Sequence, residues 1–120
     1  DLSGASMPEL TFSYFFYGAQ IDMMIIEGYN GTSWVTLDSI VGQQQTSATS
    51  PWLDTTVSLT SFAGNTNFQF RLTSTSMGCC AGDLAVDDFS VIDAGGCIAP
   101  SALAVSNIGC DTATLSWTSD

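Results

Sequence analysis

Short segments in which apolar and polar residues alternate recur along this sequence, with turn signals between them. In residues 10–16 one face of the alternation carries only large apolar or aromatic side chains, namely Leu10, Phe12, Tyr14 and Phe16. A period of two is that of a β-strand with one buried side. No segment has a convincing helical period. The sequence therefore predicts an all-β fold, an antiparallel β-sandwich or jelly roll.

The predicted strands fall into two units. The first unit has strands at residues 10–16, 21–27, 33–40, 57–59, 67–73 and 84–92. Between the second and third strands, Asn30 and Gly31 fit a type I′ turn and predict a hairpin. Residues 42–50 are rich in Gln, Ser and Thr and predict a loop.

Glycines interrupt the pattern near residue 95 and divide the chain. We expect a first domain at residues 1–93, a linker at 94–96 and a second unit at 97–120. The second unit has only two predicted strands, and two strands cannot bury a core alone. It is therefore predicted to be the N-terminal part of an incomplete β-sandwich module, or to dock on something else. The ends of the sequence lead us to expect a piece of a longer secreted polypeptide.

The charge balance restricts the partners. The chain has 12 acidic residues and one basic residue, so its net charge is −11. Such a charge repels nucleic acid and anionic lipid and attracts divalent cations. No apolar run approaches the roughly 20 residues of a membrane span, so membrane insertion is not expected. A surface of Ser, Thr, Asn, Gln and Gly suits a secreted or cell-surface protein.

Four cysteines in a chain without histidine favour disulfides over zinc or a thiol enzyme. They are Cys79, Cys80, Cys97 and Cys110, and three pairings are open. A Cys97–Cys110 bond would close a short loop, worth about 3 kcal/mol on the chain-entropy model. Cys79 and Cys80 would then be joined to each other with strain, free, or paired outside this sequence.

Residues 82–92 alternate like a buried strand, yet Asp87 and Asp88 lie side by side in the middle. Carboxylates are rarely buried unless they are paired or bind a metal. A hard cation such as calcium is the simplest way to tolerate them. The alternative is that one aspartate caps a turn or pairs with Arg71 while the other is solvated. Neighbouring residues of a regular strand point to opposite faces, so only one of the two can face a given site unless a bulge intervenes.

The order of these segments resembles MAM-type jelly-roll domains of large secreted proteins of the Bacteroidota. The resemblance covers residues 7–93 and is most specific in the closing Gly-Asp-Leu-Ala-Val-Asp-Asp-Phe-Ser-Val. Residues 97–120 resemble the first two strands of a fibronectin type III domain. That second match rests on Pro100, Leu103, Ile108, Ala113, Leu115 and Trp117.

Several expectations follow from the resemblance alone. It implies that the opening strands of a full MAM domain are missing, and that a structural calcium ion lies near Asp83 and one of Asp87 and Asp88. It also implies export by the type IX pathway and a role in protein–protein contact, often homophilic. Ser39, Thr55 and Thr112 lie in short Asp-Ser/Thr motifs that resemble O-glycosylation acceptors of the Bacteroidota. Exposure of each hydroxyl would decide between acceptor and packed side chain.

Other candidate site residues are the single cation and a few aromatics. Arg71 is predicted to form a salt bridge with an aspartate on a neighbouring strand, or to bind a carboxylate of a ligand. Tyr29 and Trp52 are the aromatics expected to be exposed, and they are candidates for stacking on a sugar. The alternative is that aromatics at alternating strand positions belong to the core.

Catalysis has little support, because the chain has neither His nor Lys and no catalytic triad. The leading hypothesis is a non-catalytic adhesion or protein-interaction module, in which residues 97–120 could add as strands to a neighbouring chain. The alternative is a carbohydrate-binding module attached to a secreted hydrolase, with an extracellular glycan as partner. A plain spacer is the third hypothesis.

Overall fold

The computed structural model describes residues 1–78, 81–95 and 101–118. These residues form eight strands and one short 3₁₀ turn. The strands are β1 (Pro8–Tyr17), β2 (Ile21–Tyr29), β3 (Trp34–Val41), β4 (Leu53–Ser58), β5 (Gln69–Ser76), β6 (Asp83–Asp93), β7 (Ser101–Ser106) and β8 (Thr114–Thr118), and the 3₁₀ turn is Thr60–Phe62.

The strands form three antiparallel sheets. The first sheet has the order β4-β1-β6, the second has the order β3-β2-β5, and β7 pairs with β8 in a separate hairpin. Because β1, β4 and β6 alternate along the chain with strands of the second sheet, several connections cross from one sheet to the other. The predicted all-β antiparallel sandwich with two further strands is confirmed.

The core lies between the first two sheets. The predicted inward face of β1 is buried, with Leu10 and Phe16 fully enclosed. Met24 and Ile26 of β2 face them from the second sheet. Each such side chain contributes about 1.5–3 kcal/mol by its removal from water. Phe62 of the 3₁₀ turn closes one end, as expected for an anchoring aromatic in a turn.

The hairpin between β2 and β3 is confirmed, but its turn is not type I′. Tyr29 pairs with Trp34, so the loop has four residues, 30–33. A type I′ turn needs positive φ at both central residues, and here Gly31 has φ +96° while Asn30 is not in that region. The side-chain oxygen of Asn30 instead accepts the N–H groups of Thr32 and Ser33, both at 2.9 Å. This local side-chain turn replaces the tighter backbone turn.

Strand β4 begins at Leu53, four residues before the predicted start at Val57. The residues missed are Leu53, Asp54, Thr55 and Thr56, which are largely polar because only one side of this edge strand is covered. Their backbone pairs with β1 from Tyr14 to Thr11. Pairing with a strongly apolar neighbour therefore outweighs their own weak strand pattern.

The polar loop at residues 42–52 is tied to the end of β1 by a buried glutamine. Gln45 accepts the N–H of Phe16 at 2.6 Å and donates to the carbonyl of Tyr14 at 3.1 Å. The backbone N–H groups of Gln44 and Gln45 donate to the carbonyl of Phe16. The side-chain amide thus takes the place of a neighbouring strand where β4 no longer covers β1.

Candidate functional site

The outer edge of β6 is one of the open strand edges of the sandwich. Among the described strands, β6 pairs only with β1, although it is the longest strand, with 11 residues. Phe89 and Val91 point toward the interior but remain 43% and 44% exposed. Phe89 packs on Phe12 at 5.3 Å and on Phe70 of β5 at 5.8 Å between ring centroids. Phe89 therefore contacts both sheets at this edge and still keeps part of its surface exposed.

A β-bulge divides β6 into two halves. The register with β1 shifts between Thr11 and Ser13, and Asp88 has φ +54°. The carboxylate of Asp87 accepts the N–H of Asp88 at 2.8 Å, which supports this turn of the backbone. Asp residues tolerate the left-handed region better than most others. The bulge that would bring both aspartates to one face is thus present.

The expected calcium ligands are nevertheless not gathered into one site. Asp83 and Asp87 are four residues apart along β6, about 13 Å in an extended strand. All three aspartates, Asp83, Asp87 and Asp88, are exposed, so the buried setting that suggested a metal is not found. Within the described residues, no group of three or more His, Cys, Asp or Glu side chains could hold a metal ion. The calcium site stays a prediction without support from the geometry.

Arg71 lies on the second sheet and pairs with Glu27, not with an aspartate. The two residues are opposite each other on β5 and β2, with Nε–Oε2 at 2.6 Å and Nη2–Oε1 at 3.0 Å. The guanidinium hydrogen bond lowers the pKa of Glu27 and in turn raises the pKa of Arg71. Arg71 also stacks on Trp34 at 4.3 Å. The prediction of a cross-strand salt bridge is confirmed, with a different acid as partner.

An aromatic strip runs across the outer face of the first sheet. It consists of Trp52, Phe15 and Tyr17, with ring centroids 5.9 Å and then 6.5 Å apart. Trp52 is 46% exposed, as predicted. The neighbouring rings are tilted by 45° and 55°, so the strip is twisted and not flat. Tyr29, the other candidate, is half-buried beside Trp34 on the opposite sheet.

A groove of about 440 Å³ lies at the Tyr17 end of this strip. Its polar lining comes from Gln43, Thr46 and Asp83. Asp83 pairs with Tyr17 in the sheet register, so the carboxylate and the phenol share the outer face. The sequence alone did not indicate a site role for Phe15, Gln43 or Thr46. The run of four aromatics at residues 14–17 could have indicated an aromatic on the outer face, because consecutive residues of a strand point to opposite faces.

The C-terminal end of β6 is fastened by Asp93. Its carboxylate accepts the N–H groups of Met7 at 2.7 Å, Ser6 at 3.2 Å and Gly95 at 3.2 Å. These hydrogen bonds, that of Met7 first, lower the pKa of Asp93. Asp93 thus holds the segment before β1 against the end of the edge strand.

The three candidate O-glycosylation residues differ in exposure. Ser39 and Thr112 are exposed. Thr55 is half-buried and lies opposite Phe12 on β1, toward the interior. By the criterion of exposure, Ser39 and Thr112 stay candidates, whereas Thr55 fits a packed side chain.

The cysteine predictions fall largely outside the described residues. Cys79, Cys80 and Cys97 lie outside them, so neither the vicinal pair nor the Cys97–Cys110 bond is tested. Cys110 is exposed. Every described side chain of residues 101–116 is exposed, including Val105 and Leu115. Within the described residues, no helix is long and apolar enough to cross a membrane.

Comparison with known proteins adds no relative. No protein-family model, no curated protein and no solved structure matches this chain. The resemblance to MAM-type and fibronectin type III domains therefore stays an expectation.

Proposed function

We propose that this chain is a non-catalytic protein-interaction module of a secreted or cell-surface protein, which self-associates by adding a strand to β6. The observation that carries the proposal is the open edge, residues 89–92, where Phe89 and Val91 flank the core without a covering strand among those described. An exposed strand edge with apolar side chains is a template for pairing with another chain. Such pairing is a recurrent mode of recognition.

The two halves of β6 differ in how well they are protected. The N-terminal half carries Asp83, Asp87 and Asp88, and the bulge at Asp88 twists it. Charges and bulges both discourage edge pairing. The open edge at residues 89–92 reads Phe-Ser-Val-Ile and carries no charge. Strand addition is therefore expected along these four residues.

The occupant that we propose is the β7–β8 hairpin of a second copy. Pairing of β6 with β6 of another copy would bring two acidic strands together, which like-charge repulsion opposes. Strands β7 and β8 carry no charged residue. Val105 and Leu115 lie opposite each other in the hairpin and are 53% and 57% exposed. Burying these apolar side chains against a partner would be favourable. The uncharged hairpin would thus pair with the open edge of β6, and β6 would cover part of the exposed apolar surface of the hairpin.

Sedimentation of the full chain over a wide concentration range tests this proposal. The wild type should associate reversibly, and Val91→Lys should abolish association by placing a charge in the open edge. Leu115→Lys should do the same from the donor side. Val41→Lys is the matched control, because Val41 lies on β3, an edge strand of the other sheet, and is 62% exposed. It should associate like the wild type.

Circular dichroism and thermal melts check that each variant keeps its fold. A folded wild-type monomer at all concentrations would refute self-association. A monomer in which Val91→Lys lowers the melting temperature much more than Val41→Lys would indicate that the hairpin folds back on its own β6. Equal loss of association in all three variants would show that the contact lies elsewhere.

A further inference from the structure

The aromatic strip and the adjoining groove are not used by strand addition at residues 89–92, and they need a separate explanation. The strip lies on the outer face of the first sheet, whereas the core is filled from the inner face of β1 by residues such as Phe12 and Phe16. Trp52 keeps nearly half of its surface in water. Rings placed in this way are available to a ligand.

The walls of the groove are held by hydrogen bonds to β1 and by a glycine at the turn. The side-chain oxygen of Gln43 accepts the N–H of Gly18 at 3.2 Å, and Gln45 anchors the same loop to β1. Gly18 has φ +126°, and a Cβ there would collide with the Ala81 carbonyl. Only glycine fits such a position without strain. These contacts hold the loop and the turn at Gly18 in place beside the groove.

The chemistry of the lining favours a neutral, hydroxyl-rich ligand. Asp83 offers a carboxylate acceptor, Gln43 an amide and Thr46 a hydroxyl. With a net charge of −11 and a carboxylate in the groove, an anionic ligand would be repelled. A purely apolar ligand would leave these polar groups desolvated without partners. The volume of about 440 Å³ lies within the usual range of small-molecule sites.

We propose that the strip and the groove together bind a neutral oligosaccharide. The C–H faces of pyranose rings stack on the aromatic rings, and sugar hydroxyls bond to the groove. The ring spacings of 5.9 and 6.5 Å resemble the length of one sugar unit in an extended chain. Because the rings are tilted, the strip fits a single twisted chain better than a flat polysaccharide surface.

A glycan array that carries neutral and acidic glycans identifies the ligand, and calorimetry on the full chain measures its affinity. Trp52→Ala should weaken binding about tenfold or more, because the indole supplies the largest stacking surface. Asp83→Asn should weaken it about fivefold through loss of a charge-assisted hydrogen bond. Tyr29→Ala removes an aromatic from the outer face of the other sheet and should leave the affinity unchanged.

The outcomes separate this proposal from self-association. Val91→Lys should bind the glycan as well as the wild type does, whatever its association state. Absence of binding to any neutral glycan, or binding that Trp52→Ala leaves unchanged in a folded protein, would overturn the proposal. Preference for acidic glycans, or for an apolar peptide whose binding Asp83→Asn does not affect, would overturn the assigned ligand class.

Discussion

The buried amide of Gln45 should be one of the largest polar contributions to the stability of this sandwich. Its side chain is 3% exposed and satisfies one backbone N–H and one backbone C=O of β1. Gln45→Ala would leave both groups without this partner. An unsatisfied buried group costs about 1–3 kcal/mol, so the substitution should lower the free energy of unfolding by about 2–6 kcal/mol. Domains of this size are stable by only about 5–15 kcal/mol.

Two further substitutions show whether the lost hydrogen bonds or the lost side-chain volume cause the drop in stability. Gln45→Met keeps most of the side-chain volume but removes both hydrogen bonds, so it should cost nearly as much as Gln45→Ala. Gln45→Glu keeps the acceptor for Phe16 but turns an oxygen toward the carbonyl of Tyr14. This variant should regain stability on acidification, because the protonated carboxyl can donate to the carbonyl of Tyr14. The stability of this variant should therefore fall as pH rises, because the ionised carboxylate cannot donate to the carbonyl of Tyr14.

Urea denaturation followed by tryptophan fluorescence measures these differences, provided that the m-value is unchanged. Gln44→Ala is the matched control, because Gln44 is exposed and donates to the carbonyls of Val41, at the end of β3, and of Gly42. It should cost about 0.5 kcal/mol or less. The reasoning fails if Gln45→Ala and Gln44→Ala are equally stable, or if Gln45→Met restores wild-type stability.

Two other positions give sharp expectations. A Cβ at Gly28 would lie 2.8 Å from the buried ring of Phe62. Gly28→Ala should therefore lower the free energy of unfolding, measured by urea denaturation, by about 1–3 kcal/mol. Gly4→Ala is the control and should leave it unchanged, because no atom lies within 4 Å of a Cβ at that position. The hydrogen bonds to Asp93 lower its pKa below the ordinary value of 3.8, so its stabilising effect is present above that pH and lost as pH falls through the folded value. In thermal melts Asp93→Asn should have a lower melting temperature than the wild type at neutral pH, and its melting temperature should fall less on acidification. Asp111→Asn is an exposed control and should follow the wild type. Parallel curves of melting temperature against pH for Asp93→Asn and the wild type would contradict this.

The strands of the sandwich could be predicted because period-two alternation reflects one-sided burial. Residues 10–16 and 67–73 showed the correct inward faces, with Arg71 pointing away from the core. The missed residues of β4 and the buried Gln45 have a common cause. Polar residues that fill gaps beside an apolar strand have no periodic signal of their own. Their role follows from the backbone groups that need partners, and these are known only when the sheet is assembled.

The site could be predicted only in part, because a sequence shows residue types but not their separation. Trp52 was correctly expected to be exposed, whereas Tyr29 is half-buried beside Trp34. The partner of Arg71 could not be known before the register of β2 and β5 was fixed. The groove depends on a polar loop folding over the end of β1, and such long-range closure leaves no local pattern.

The aspartates of β6 lie on an edge strand, where water can solvate their carboxylates. A buried strand would have to compensate for each carboxylate, but Asp87 and Asp88 lie on a strand whose outer side faces solvent. There they remain hydrated, and together with the bulge they discourage pairing over the N-terminal half. The uncharged residues 89–92 are then left as the place where a partner strand can dock. If strand addition takes place as proposed, we expect it to stop short of Asp88, because a shift toward Asp88 would place the new strand over the bulge.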